Sequence, residues 1–93
     1  MKTLKVENMT SNQGNKIANQ FIVRTAKGRY FQSYDSIIAF IPNKQGAKIQ
    51  LDSYYWDYSK TTGKYRNLFL NEDKKATEKK IKDKVYLLKD LNT

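Results

Sequence analysis

The sequence predicts an α+β domain, a small antiparallel sheet of four to five strands with one or two C-terminal helices packed on one face. Three observations carry this expectation. Short runs rich in β-branched and aromatic side chains, punctuated by Gly, Pro and Asn, fill positions 20–51. Helical spacing of apolar residues begins only after Ser59. A chain of 93 residues is long enough for one domain and one small core. The expected division is a flexible polar arm over residues 1–17 and a single α+β domain over residues 18–93.

Residues 1–17 are rich in Asn, Ser, Thr, Gln and Lys and show no sustained period. Leu4 and Val6 offer at most a short edge strand. Such an arm is either simply unstructured or orders on a partner. Residues 20–25 (QFIVRT) and 29–34 (RYFQSY) flank Lys27-Gly28. Two strand-like runs around a turn that ends in glycine make a hairpin, because glycine tolerates the backbone of a tight turn. Residues 37–41 read as a more buried strand ended by Pro42, which cannot donate to a ladder. Residues 43–46 (NKQG) turn the chain. The alternating run 47–51 (AKIQL) is a fourth strand, antiparallel to the third.

Residues 53–58 (SYYWDY) either extend that strand or form an aromatic corner. For the helix that follows, Ser59 and Thr61 are both N-cap candidates, with Tyr65, Leu68 and Phe69 on one face. Gly63 weakens this helix by about 1 kcal/mol relative to alanine. Asp73 caps a second helix over residues 74–82, with Ala76, Thr77, Ile81 and, at its end, Val85 inward. Residues 85–88 return as a final short strand.

Composition narrows the function. Eighteen Lys and Arg against nine Asp and Glu give a net charge of +9. Seven tyrosines, four phenylalanines and one tryptophan accompany that charge. A basic field attracts polyanions and exposed rings stack on bases, so nucleic acid, DNA or RNA, is the expected partner. The absence of Cys and His argues against zinc, copper and haem sites and removes the commonest general base. No cofactor, metal site or catalytic residue is assigned, and a non-enzymatic protein is expected. The strand-end Asp35, Asp52 and Asp57 read as turn and cap residues. No apolar run approaches the ~20 residues of a membrane span and no signal-peptide core follows Lys2. A cytoplasmic protein with no membrane role is the expectation.

Two clusters supply the candidate site. Tyr54, Tyr55, Trp56 and Tyr58 cannot all be core under strict alternation. They either pack under the helix with wet hydroxyls or form a stacking platform, for which Tyr54, Tyr55 and Trp56 are the candidates. Nine of the eighteen basic side chains fall within residues 60–84. Lys60, Lys64, Arg66, Lys74, Lys75 and Lys79 are the candidate phosphate contacts, against the reading that they are a solvated helix face. Gly63-Lys64 is not a phosphate loop, because Tyr58 and Tyr65 stand where that motif needs Gly and Ser or Thr. Arg29-Tyr30-Phe31 has only a faint likeness to an RNA-recognition strand.

The run Gly28-Arg29-Tyr30-Phe31-Gln32-Ser33-Tyr34-Asp35-Ser36-Ile37-Ile38-Ala39-Phe40-Ile41, with Leu51-Asp52, Tyr55-Trp56-Asp57-Tyr58-Ser59, Thr61-Thr62, Lys64-Tyr65 and Phe69-Leu70, resembles a family of small bacteriophage and mobile-element proteins. The likeness spans about two thirds of the chain and departs at Gly63, where members often carry a small polar residue. It brings no functional residue with it. It implies a protein of an infected or plasmid-bearing bacterial cell, where nucleic-acid binding is one role. The alternatives are an inhibitor that binds a host enzyme or defence protein, and a structural or virion component that forms a homo-oligomer. A DNA mimic is disfavoured by the positive charge.

Overall fold

The computed structural model describes residues 3–92. Its elements are β1 (Thr3–Thr10), β2 (Lys16–Thr25), β3 (Gly28–Ser33), β4 (Ser36–Pro42), β5 (Gln50–Asp52), α1 (Lys60–Leu70), α2 (Lys74–Lys82) and β6 (Leu87–Lys89). The strands form one six-stranded sheet in the order of the chain. All neighbours are antiparallel except β5 and β6, which are parallel. A parallel neighbour needs a crossover, and the two helices supply it.

The α+β class stands, with six strands instead of four to five. The helices lie between β5 and β6, so the chain ends on a strand. The polar arm is corrected: β1 pairs with β2 from Thr3↔Thr25 to Thr10↔Lys16. Residues 1 and 2 of that arm lie outside the described residues; most of the others form a strand and hairpin turn, because Met9 and Ile17 pack on the core. Met9 is 7% exposed and belongs to the core.

Residue alternation gives the sheet two unlike faces. Phe31 packs on Phe69 of α1 at 5.7 Å between centroids, and Ser33 bonds to Thr62 at 3.3 Å. These contacts identify the covered face, where Met9, Phe31, Ile38, Ala39, Leu51 and Tyr86 are buried against Tyr65, Phe69, Leu70 and Ile81. The opposite face carries Tyr30 stacked on Phe40 at 4.3 Å. A bulge in β4 places Ile37 opposite Gln32 and adds Ile38 to the core. At Gly28 the β3 backbone runs so close to β4 that an added Cβ would collide with the Ile41 carbonyl and lie 2.8 Å from Phe40 and Pro42.

Local chemistry sets the helix ends. Ser59 caps α1 by accepting from the Thr62 amide at 3.1 Å, and Asp73 caps α2 by accepting from Ala76 at 2.8 Å. Asn71, at φ 58°, closes α1 in the left-handed region. The buried face of α1 consists of Thr62, Gly63 and Arg66. Leu68, expected inward, is half-exposed, and Val85 is exposed as well. No helix among the described residues is long and apolar enough to cross a membrane.

Candidate nucleic-acid interface

Two concavities meet at Ser59, the cap of α1. The larger, about 780 Å³, lies between the β1–β2 hairpin tip (Ser11, Asn12) and the outer side of α1. Lys60, Lys64 and Lys74 rim it, and Ile17, Tyr65 and Leu68 give it an apolar lining. The smaller, about 230 Å³, opens between the β3–β4 turn and the 53–58 loop, with Tyr34, Tyr55 and Tyr58 in its walls. Ser59 lines both.

Asp52 builds the tyrosine side. Its carboxylate accepts from the Tyr54 and Tyr55 amides at 3.1 and 2.8 Å and from Leu91 at 2.8 Å. Burial pushes this carboxyl up, but the Leu91, Tyr55 and Tyr54 amides together hold it below the usual aspartate range. The loop therefore turns sharply after β5 and presents its rings as a cluster. Tyr54 meets Tyr55 edge-on at 4.7 Å, and Tyr58 lies 5.3 Å from Tyr55. Tyr54 is 71% and Tyr58 62% exposed, while Tyr55 and Trp56 are half-buried. Of the three candidate stacking rings, Tyr54 is the freest, Tyr55 offers an edge, and Trp56 faces inward.

Trp56 faces inward because Arg66 does. Arg66 is 1% exposed, with its guanidinium 5.2 Å from the Trp56 ring. It donates to the Trp56 carbonyl at 2.7 Å, to Asp57 Oδ1 at 3.2 Å and to Asn67 Oδ1 at 2.9 Å. Gly63 lies beside it, and a Cβ there would sit 3.6 Å from Nη2, an ordinary van der Waals contact. The expectation that Arg66 binds phosphate from the surface is thus corrected. It is a buried brace between α1 and the aromatic loop, and only its edge reaches the cleft wall. Its Nε and Gln20 Oε1 are the buried side-chain polar atoms without a partner among the described residues.

The lysines divide. Lys60 and Lys64 stand exposed at the cleft, while Lys74 reaches across it to Asp57 Oδ2 at 2.8 Å. Burial raises the Asp57 carboxyl, but Lys74 and Arg66 outweigh it and hold the group low; the Asp57 bond in turn raises the Lys74 ammonium. Lys75 and Lys79 are exposed on α2 and line neither concavity, and Lys79 pairs with Asp83 at 3.1 Å. The structure therefore gathers Lys60, Lys64, Lys74, Tyr54 and Tyr55 around the start of α1 and leaves Lys75 and Lys79 apart.

Sequence reasoning passed over Tyr34. It occupies the β3–β4 turn at φ 58°, where a bulky side chain costs about 1–2 kcal/mol and Gly or Asn would be the ordinary choice. Its ring is 58% exposed and walls the smaller concavity. The turn at Tyr34-Asp35 carries no glycine to announce it, so only the backbone angle reveals that a strained ring is kept there.

No curated protein and no solved structure matches the chain. A family model does match, over residues 4–85, which is most of the sequence. The chain belongs to that family, a family of unknown function (DUF8033).

Proposed function

We propose that this protein is a non-enzymatic binder of single-stranded nucleic acid, with Lys60, Lys64 and Lys74 taking backbone phosphates and Tyr34, Tyr54, Tyr55 and Tyr58 receiving bases. The observation that carries the reading is the meeting of both kinds of group at Ser59, lysines on one side of the cap and exposed rings on the other. A single strand suits the site better than a duplex. Its bases are free to enter the tyrosine concavity, and rings offered edge-on and tilted suit splayed bases. The first turn of α1 carries no acidic residue to compete for the helix N-terminus. The resemblance to bacteriophage and mobile-element proteins supports the cytoplasm of a bacterial host as the proposed setting.

Fluorescence anisotropy with labelled oligonucleotides tests the proposal. Neutralising about three phosphates of a single strand gives a slope of about −2 in log affinity against log salt. Tyr54→Ala and Tyr58→Ala should each weaken binding by about 1–3 kcal/mol with little dependence on base sequence. Absence of binding at about 50 mM salt, where this term is strong, removes the reading. The apolar cleft lining of Ile17, Tyr65 and Leu68 favours one second reading, a docking site for a segment of a host protein. A lysate partner retained after nuclease treatment would support that alternative.

A further inference from the structure

We propose that the open face of the sheet is an interface between two copies of this chain. The proposal is independent of nucleic-acid binding and rests on how charge is distributed between the two faces. Over residues 5–8, 20–25, 28–33 and 36–42 the strands carry four charged side chains, Lys5, Glu7, Arg24 and Arg29. All four project on the helix-covered side: Arg24 pairs with Glu7 at 2.8 Å, Lys5 lies 3.6 Å from Glu7, and the Arg29 guanidinium is 5.9 Å from Phe69 of α1. The opposite side of the same stretch carries Val6, Phe21, Val23, Tyr30, Ile37 and Phe40 beside the uncharged Asn8, Thr25 and Gln32, brought together by the pairings Val6↔Val23, Val23↔Tyr30 and Tyr30↔Phe40. Val6 is 57% exposed, while Val23 and Phe40, at 7% each, pack within the layer. Both helices pack on the other face. In a chain of which 29% is charged, a four-strand stretch with no charge on one face is a departure that folding alone does not require; the exposed Lys89 of β6 falls on the same face only at its far edge.

Charge also selects the occupant. Two molecules at +9 repel over most orientations, and apposition through the four-strand stretch brings no charge of that stretch into the contact, leaving Lys89 at its rim. An acidic partner would be drawn to the lysine-bearing side instead. Stacked sheets lie about 10 Å apart, so a dry layer of Val, Phe, Tyr and Ile side chains fits between them. At about 4.8 Å per strand and 3.3 Å per residue the face measures on the order of 25 by 20 Å. That footprint of about 500 Å² falls short of the ~800 Å² per partner of a standard interface and fits a weak one. The lysine cleft and the tyrosine concavity, built by α1 and the loops before it, stay open in such a pair.

Sedimentation velocity on the full chain over about 5–500 µM tests this, the range in which weak interfaces of this size associate. The expected result is a concentration-dependent dimer of the 10.9 kDa chain that tightens as salt rises, because salt screens the residual repulsion. Val6→Lys and Ile37→Lys, both placing a like charge on the face, should each weaken the dimer at least tenfold. An isotope-filtered NOESY on mixed labelled and unlabelled wild-type protein should show intermolecular contacts at the Tyr30 and Phe40 rings, a readout that needs no variant to fold. A monomer throughout the range overturns the proposal. So does a dimer indifferent to Ile37→Lys in a folded variant, or one whose intermolecular contacts are confined to β1, which would mean edge-to-edge pairing.

Discussion

At the scale of single residues the candidate site is defined by two side chains in unfavourable surroundings, a buried Arg66 and a strained Tyr34. Arg66 is tolerated because its two terminal nitrogens find partners in a carbonyl and two side-chain oxygens and its plane lies near an indole, leaving only Nε unpaired. Tyr34 is held through its backbone alone, its amide donating to the Asn19 carbonyl and its carbonyl accepting from Gln32 Nε2, each at 2.7 Å, while its ring is mostly in water and its φ lies in the left-handed region. Replacing it with glycine separates the two roles. Tyr34→Gly should fold with stability unchanged or raised by up to about 1 kcal/mol, the relief of strain being offset in part by the freer unfolded chain. The same variant should lose affinity for single-stranded oligonucleotides by several-fold. Thermal melts and anisotropy titrations check the pair of outcomes. A melting temperature lowered by more than about 5 °C, roughly 1 kcal/mol for a domain of this size, would make the ring a structural element.

At the scale of elements the strands and both caps were legible and the sidedness of α1 was not. Lys27-Gly28, Pro42, Ser59 and Asp73 each act through local backbone chemistry, which is written in a few adjacent residues, and each appears where that chemistry places it. Apolar spacing misjudged α1 because its inward stripe runs through Thr62, Arg66 and Phe69, and a hydrophobicity argument does not count a buried arginine as core. For the same reason the lysines could be placed on helices but not sorted into those facing the cleft and those facing away. The first strand was legible only as a short edge strand at Leu4 and Val6, because its length and seating depend on β2, a long-range pairing that composition does not carry. Gly63 shows how such an element can be tested. Its missing Cβ meets only the Arg66 guanidinium at ordinary van der Waals distance, so Gly63→Ala should stabilise the protein by about 0.5–1 kcal/mol, through helix propensity. Denaturant unfolding reads this directly, and a loss of stability would show that the guanidinium requires the space.

At the scale of the whole molecule three carboxylates tie the late elements to the sheet, and they set its response to acid. Asp52 joins the aromatic loop to the C-terminal segment through the Leu91 amide, and Asp57 joins that loop to α1 and α2 through Arg66 and Lys74. Glu72, between the helices, accepts from Thr77 at 2.6 Å and from the Tyr86 hydroxyl at 2.8 Å, and it pairs with Lys80. Burial raises each carboxyl, yet their hydrogen bonds and cationic neighbours win, and all three titrate below their ordinary values. A carboxylate held low in the folded state contributes stability that is complete above its unfolded pKa, about 4, and disappears as pH falls through the folded value. Stability should therefore be level from about pH 5 to 8, where no histidine titrates, and should decline steadily below about pH 4 as the unfolded chain takes up protons first. Replacing one of the three isolates its share. Asp57→Asn removes the charge opposite a buried guanidinium from a carboxylate that is itself partly in water, so it should cost about 1–2 kcal/mol at neutral pH and flatten the acid limb of the stability profile. Urea titrations of both proteins at pH 7 and pH 3 measure the difference. If the two proteins lose the same stability between those pH values, the acid sensitivity lies elsewhere and Asp57 is not one of the groups that couple the helices to the aromatic loop.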